Sequence, residues 1–332
     1  MTSTTVSAAL SGMLHLDPKA LAAQLRLPAI ASPMFIVSNP EMVIAQCQGG
    51  MIGTFPVLNA RPQETLSVWL SRIEQALEAS LSAGQPVAPY GVNLVIRKNT
   101  DRFEADLQTV VNHQVPVVIT SLGTPAEVVA QVHAYGGLVL HDVTTVRHAR
   151  RALEAGVDGL ILVCAGAGGH AGAISPFALL REIRAFYDGL VVLAGAITDG
   201  QSILAAQVMG ADLAYMGTRF IATQESSAAP GYKQMLVDAT ATDIIYTPHF
   251  SGIPANYLKP SLVAAGLDPD HLPVVDAAAV RASGERQKRW KDIWGAGQGV
   301  GNIHDIPSVA TLVERLVQEY EQARQHWRER LR

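Results

Sequence analysis

Eight short apolar runs, separated by longer stretches with helical spacing, constrain this chain more than any other feature. They are Pro28–Met34, Met51–Phe55, Tyr90–Ile96, Val115–Thr120, Gly137–His141, Asp158–Cys164, Leu190–Ala194 and Asp212–Met216. None alternates cleanly between apolar and polar residues. Continuous apolar strands are expected where both faces of a parallel sheet are covered. The gaps carry helix signals. Asn39-Pro40-Glu41 supplies an N-cap with proline at the first helical position, and Thr124-Pro125-Ala126-Glu127 repeats the device with a capping-box glutamate. Thr144–Ala155 stops at Gly156, and Asp199–Met209 stops at Gly210. Eight strands, each followed by a helix, predict an α/β fold: a (β/α)8 TIM barrel. The competing open doubly wound sheet would want G-x-G-x-x-G after its first strand. No glycine follows Pro28–Met34 until Gly49.

At 332 residues, with 48% hydrophobic and 16% charged, the chain can bury one large core and needs no second domain. Residues 1–27 read as an N-terminal arm. Residues 28–221 and 302–332 read as the barrel, closed by an amphipathic helix from Pro307. Residues 222–301, rich in Pro, Gly and aromatics, read as a lid-like insertion after strand eight that delays the last helix. The net charge of −4 gives no electrostatic case for nucleic acid or an anionic membrane. No apolar run reaches transmembrane length and the N-terminus lacks a signal-peptide pattern, so a cytoplasmic protein is expected. Cys47 and Cys164 form no CxxC motif and suit buried, reduced thiols.

Barrel chemistry gathers at the C-terminal ends of the strands. After strand seven comes Gly195-Ala196-Ile197-Thr198-Asp199-Gly200, and after strand eight Gly217-Thr218-Arg219-Phe220. Such turns let backbone N–H groups approach an anion, and a helix N-terminus adds its dipole. Two at these strands make a phosphate cradle; singly, each also reads as a tight βα turn. After strand six, His170 sits in Gly166-Ala167-Gly168-Gly169-His170-Ala171-Gly172. The thin backbone would let a flat ligand lie close to an imidazole able to act as a base. A histidine that only bonds its own loop is the bland alternative. Asn93, ending strand three, suits a heteroaromatic edge or caps a turn equally well. Pro33 and Met34 wall a ring or pack a core. His141 and Asp142 are adjacent, so they point to opposite faces and make a poor metal pair; Asp142 directed into the mouth is the better reading. His113, His133, His148, His249 and His304 show no metal spacing.

Together these motifs resemble the nitronate monooxygenase (2-nitropropane dioxygenase) family of FMN-dependent barrels. The resemblance runs from about Leu27 to Ala222 and returns at Ile293-Trp294-Gly295-Ala296-Gly297-Gln298-Gly299-Val300-Gly301. It implies that Pro33, Met34 and Phe35 contact the flavin, Asn93 bonds near the ring, and Gly168 lies beside it. It implies further that Ala194, Gly195, Ala196, Gly217 and Thr218 hold the FMN phosphate, that Gln298 reaches the cofactor, and that His170 is the catalytic base or acid. Asp142 falls near the flavin edge, where the family often has Gln or Lys. Ala196 replaces the second glycine of the phosphate turn, a change tolerable where φ is negative. Nitronate oxidation with O2 is the first expectation. NAD(P)H-dependent reduction of an enoyl thioester or quinone, as in relatives of this family, is the second, and a non-catalytic flavin-binding protein the third. Enzymes of this kind are commonly homodimers.

Overall fold

The structure is a computed structural model and describes residues 15–96, 100–273 and 292–331. All eight apolar runs form strands: β1 Ala29–Ala31, β2 Gly53–Pro56, β3 Tyr90–Val95, β4 Val117–Ser121, β5 Leu138–Val143, β6 Gly159–Val163, β8 Leu190–Ala194 and β9 Leu213–Met216. They pair in parallel, in the order β1-β9-β8-β6-β5-β4-β3-β2. Residue 52, just before β2, closes the ring on β1: Ala31 N–H donates to the Ile52 carbonyl (2.8 Å) and Ile52 N–H to that of Ala29 (3.1 Å). The chain is a TIM barrel.

Strand alternation divides the core in two. Ile30, Ile52, Val117, Ile119, Leu138, Leu140, Ile161, Leu190, Val192 and Leu213 fill the lumen. Their neighbours, among them Val92, Val118, Val139, Leu160, Leu162, Val191 and Met216, point outward into the layer shared with the helices. Both faces of every strand are therefore apolar, which is why the runs do not alternate.

Helices α1 (Leu21–Gln24), α2 (Pro40–Gly49), α3 (Thr65–Ser82), α4 (Asp101–Asn112), α5 (Ala126–His133), α6 (Val146–Glu154), α7 (Pro176–Arg184) and α8 (Gly200–Met209) belong to the barrel. Asn39 caps α2 by accepting the Met42 N–H at 3.0 Å. Gly50 and Gly210 end α2 and α8 in the left-handed region. The expected cap at Thr124 does not form. Instead α5 starts after Pro125 with no side-chain cap. On α6 the cap is Thr145.

Residues 15–27 are no loose arm. Leu21 of α1 and Leu25, just after it, join the lumen cluster with Leu138 and Leu190, so this segment plugs the barrel floor. After β9 a helix does follow at once, the four-residue α9 (Thr218–Ile221), and then α10 (Pro230–Asp238). Next come β10 (Ile244–Thr247), β11 (Ala255–Leu258) and α11 (Lys259–Ala264). The final helix, α12 (Val309–Arg330), packs against α8 and α2. A Cβ on Gly49 would meet Val313 at 2.8 Å, so α2 and α12 meet closely there.

Among the described residues, the 222–301 segment folds back over the mouth. Its β10–β11 hairpin adds a third, two-residue strand, β7 (Gly169–His170), from the loop after β6. Tyr232 stacks on Trp294 (4.9 Å between centroids), and its hydroxyl donates to the Gly295 carbonyl.

Candidate active site

One cavity of about 1540 Å³ opens at the C-terminal ends of the strands. The alternation that fills the lumen with Ile, Leu and Val places a polar layer at its top. Asn93, Ser121 and Asp142 are lumen-facing on the adjacent strands β3, β4 and β5, and Tyr215 faces in from β9. Asn93 Nδ2–H donates to Ser121 Oγ (2.8 Å) and to the Ile119 carbonyl (3.2 Å). Ser121 Oγ–H donates to Asp142 Oδ2 (2.6 Å). Both amide protons and the hydroxyl proton of this chain are thereby assigned. Burial pushes the Asp142 carboxyl up to about 6, against the opposing hydrogen bond from Ser121. His141 points the other way, with Nδ1 2.7 Å from Thr120 Oγ1, whose own proton goes to the Leu140 carbonyl; burial, aided by nearby His148, takes it down to about 4, so the ring is neutral.

His170 is exposed on β7 at the cavity wall. The insertion holds it from both sides. Asn256 Nδ2–H donates to the Ala167 carbonyl (2.7 Å), Tyr246 O–H to that of Ala171 (2.9 Å), and Ala171 N–H to that of Pro254 (3.3 Å). His170 Nε2 lies 3.0 Å from Ser251 Oγ, whose own proton goes to the Ile253 carbonyl at 2.8 Å. Ser251 Oγ can therefore accept from Nε2–H, the tautomer that puts the ring's lone pair on Nδ1.

Four segments distant in sequence meet beside this histidine. A Cβ on Gly168 would lie 2.8 Å from Gly297 N and 3.0 Å from Thr218 Oγ1; one on Gly297 would lie 2.5 Å from the Gly166 carbonyl. Gly297 N–H donates to Thr218 Oγ1 (2.9 Å). Gly195 sits at φ 144°, and a Cβ there would meet the Ala165 carbonyl at 2.8 Å. Ala196 sits at φ 55°. The condition under which its methyl is tolerated without strain is not met, and an L-residue held there costs about 1–2 kcal/mol. Gln298 differs from expectation too. It is exposed and outside the cavity lining; its backbone N–H ties the Gly166 carbonyl instead (2.9 Å), while Gly297 and Gly299 line the wall.

The wall beyond β1 is a bent loop. Pro33, Met34 and Phe35 line the cavity, with the Arg61 guanidinium 5.1 Å above the Phe35 ring. Ile36 is β-branched yet sits at φ 59°. Asn59 holds the bend: it accepts from Ile36 N–H (3.0 Å) and donates to the carbonyls of Met34 (3.0 Å) and Ser38 (2.8 Å).

The family model for nitronate monooxygenase matches residues 55–319. The chain belongs to the nitronate monooxygenase family. A nitronate monooxygenase of Paraburkholderia phytofirmans is 31% identical over 90% of this chain and 94% of its own length. A nitroalkane oxidase structure from Streptomyces ansochromogenes superposes with a TM-score of 0.78 at 26% identity, covering 93% of this chain and all of that one. FabK from Thermotoga maritima shares the fold, with a TM-score of 0.75 at 24% identity over 98% and 99% of the two chains. As a nitronate monooxygenase family member the protein is an oxidoreductase.

The lining suits the phosphorylated flavin that this family implies. Bare backbone is presented at both turns: a Cβ on Gly195 would run into the Ala165 carbonyl, and one on Gly217 would come against the Ser32 and Met34 side chains. α9 starts at Gly217 with no side-chain cap, so its first N–H groups are not taken by a side chain. The dipole of α8 does not serve this anion site. Asp199 caps Ser202 N–H (2.7 Å) and Glu319 takes Gly200 N–H (2.9 Å), which leaves that end already anionic. At the opposite end of the lining, the buried Oδ1 of Asp142 has no protein partner.

Sequence reading missed Ser251, Asn59, Ser121 and Tyr215. Ser121 and Tyr215 were legible in principle, since alternation from Ile119 and Leu213 turns both inward. Ser251 and Asn59 act across 81 and 23 residues respectively, and no local pattern marks them.

Proposed function

We propose that this family member binds FMN and oxidises alkyl nitronates with O2. One observation carries the reading: His170 is held on β7, oriented by Ser251, at the wall of the same cavity as the 195–196 and 217–218 turns. Ala194, Gly195, Ala196, Gly217 and Thr218 would hold the phosphate; Pro33–Phe35, Asn93 and Gly168 would border the ring. Bound FMN supplies a two-electron acceptor that O2 can reoxidise. The protein's own groups do the rest. Nδ1 of neutral His170 accepts the α-proton of a nitroalkane, or stabilises the nitronate once protonated. Ser251 keeps Nε2 as the donor throughout. Tyr232 and Trp294 roof the reacting centre and limit water there.

A second reading, NAD(P)H-dependent reduction of an enoyl thioester or quinone, is favoured by the cavity's size. At about 1540 Å³ it exceeds the roughly 300–1000 Å³ of ordinary small-molecule sites and has room for a second large reactant. Anaerobic mixing of the yellow holoprotein with nitronates, NADH and NADPH separates the two. Bleaching by nitronates alone supports oxidation, whereas rapid bleaching by a nicotinamide supports reduction. A flavin that none of these donors bleaches supports a non-catalytic binding role, and a protein that refuses FMN ends every one of these readings.

A further inference from the structure

The hydrogen-bond chain at the top of the lumen has a direction, and that direction decides what Asp142 can do. Asn93 Nδ2 spends its two protons on the Ile119 carbonyl and on Ser121 Oγ. Ser121 has one proton, and it goes to Asp142 Oδ2. With Ser121 donating to it, Oδ2 is an acceptor and a proton on this carboxyl falls to Oδ1. The other oxygen, Oδ1, is buried with no protein partner, on a residue that lines the cavity. An ionised carboxylate would leave a charge-bearing oxygen unsatisfied there, which is the costly arrangement. A neutral acid has the reverse property: Oδ1–H becomes a donor that only something in the cavity can satisfy.

The surroundings agree. No cation acts on Asp142 among the described residues; burial raises its carboxyl and only Ser121 opposes. Tyr215 on β9 faces it, and its hydroxyl is raised well above the ordinary range by burial first and then by Asp142. Asn93 and Ser121, from β3 and β4, are neutral. His141, next along β5, is turned outward to Thr120. Arg61, His141, His148, Arg151, Glu154 and His170 also line this cavity.

We propose that Asp142 engages the flavin as a neutral carboxylic acid, with its proton on Oδ1 donated to an acceptor atom on the ring. Flavin binding then retains or takes up one proton at this residue. The inference rests on the flavin reading above and adds to it a role for Asp142.

The test is the pH dependence of affinity. Apoprotein is titrated with FMN, and in parallel with riboflavin, by flavin fluorescence quenching from about pH 5 to about pH 8. Riboflavin has no phosphate, so its profile is free of the second phosphate ionisation near pH 6. Wild-type affinity for riboflavin is expected to be level at acid pH and to fall by about tenfold per unit above the Asp142 midpoint. Asp142→Asn keeps a donor and cannot titrate, so its profile is expected to be flat near the wild-type acid value. A second readout needs no variant. The flavin-bound minus apo infrared difference spectrum, taken above that midpoint, should gain a protonated-carboxyl C=O band. Tight riboflavin binding with a flat wild-type profile, an equally steep fall in Asp142→Asn, or absence of the band overturns the inference and leaves the flavin reading standing. Failure of both flavins to bind at every pH overturns the two together.

Discussion

His170 shows how much a single side chain depends on partners far along the chain. In the proposed role, its ring offers a lone pair at Nδ1 while Ser251 accepts from Nε2. His170→Ala is expected to lower kcat with the best substrate by about a hundredfold or more at unchanged flavin content. Turnover near wild type would remove it from the mechanism. Ser251→Ala keeps the imidazole but loosens its tautomer and aim. We expect a fall of about tenfold to a hundredfold in kcat together with a displaced pH midpoint. A lowered kcat with an unmoved pH profile would mean that Ser251 only packs. The two residues of the 195–196 turn diverge. Gly195→Asp places a side chain against the Ala165 carbonyl at φ 144°, so purified protein should lose flavin absorbance. Ala196→Gly releases an alanine from the left-handed region and should raise stability by on the order of 1 kcal/mol, read from the denaturant midpoint. His170 and the glycines were legible because chemistry needs thin backbone around a lone imidazole at a strand end. The sign of φ at Ala196 was not, because no local residue pattern marks an alanine in the left-handed region.

Strands were legible as elements because burial of both faces writes itself as an unbroken apolar run. Their ends were less so: Pro28–Met34 reduces to Ala29–Ala31, because the residues that follow bend into the loop clamped by Asn59. β5 makes the point energetically. Its neighbouring residues titrate in opposite senses. Asp142, raised to about 6, contributes stability that is full below its unfolded midpoint near 4 and is lost as pH rises through 6. His141, lowered to about 4, contributes stability that is full above its unfolded midpoint near 6.5 and is lost as pH falls through 4. Between about pH 4 and 6 the two slopes oppose each other, so the contribution of this pair to the denaturant midpoint is nearly level over that window. Asp142→Asn leaves His141 unopposed. Its stability should fall by about 3 kcal/mol on acidification from about pH 6.5 to 4. A parallel pH course in wild type and variant would contradict this pairing of opposites on one strand. β7 lay outside what any run of residues could announce. Two residues become a strand only because β11, from far downstream, pairs with them.

For the molecule as a whole, the eightfold count predicted the barrel, and the final helix, Val309–Arg330, packs on α8 and α2. The plug formed by residues 15–27 escaped notice, since Leu21 and Leu25 look no different from any short amphipathic turn until the barrel floor is there to receive them. The insertion was legible only as something other than barrel. Its hairpin has a consequence for how this enzyme can be altered. Because Ser251, Asn256 and Pro254 hold the histidine loop from outside, the proposed acid–base group and the segment that covers the mouth are built as one unit. A chimera that borrows a relative's roof to change what fits inside will also re-aim its own imidazole, so selectivity and turnover in this scaffold cannot be tuned independently.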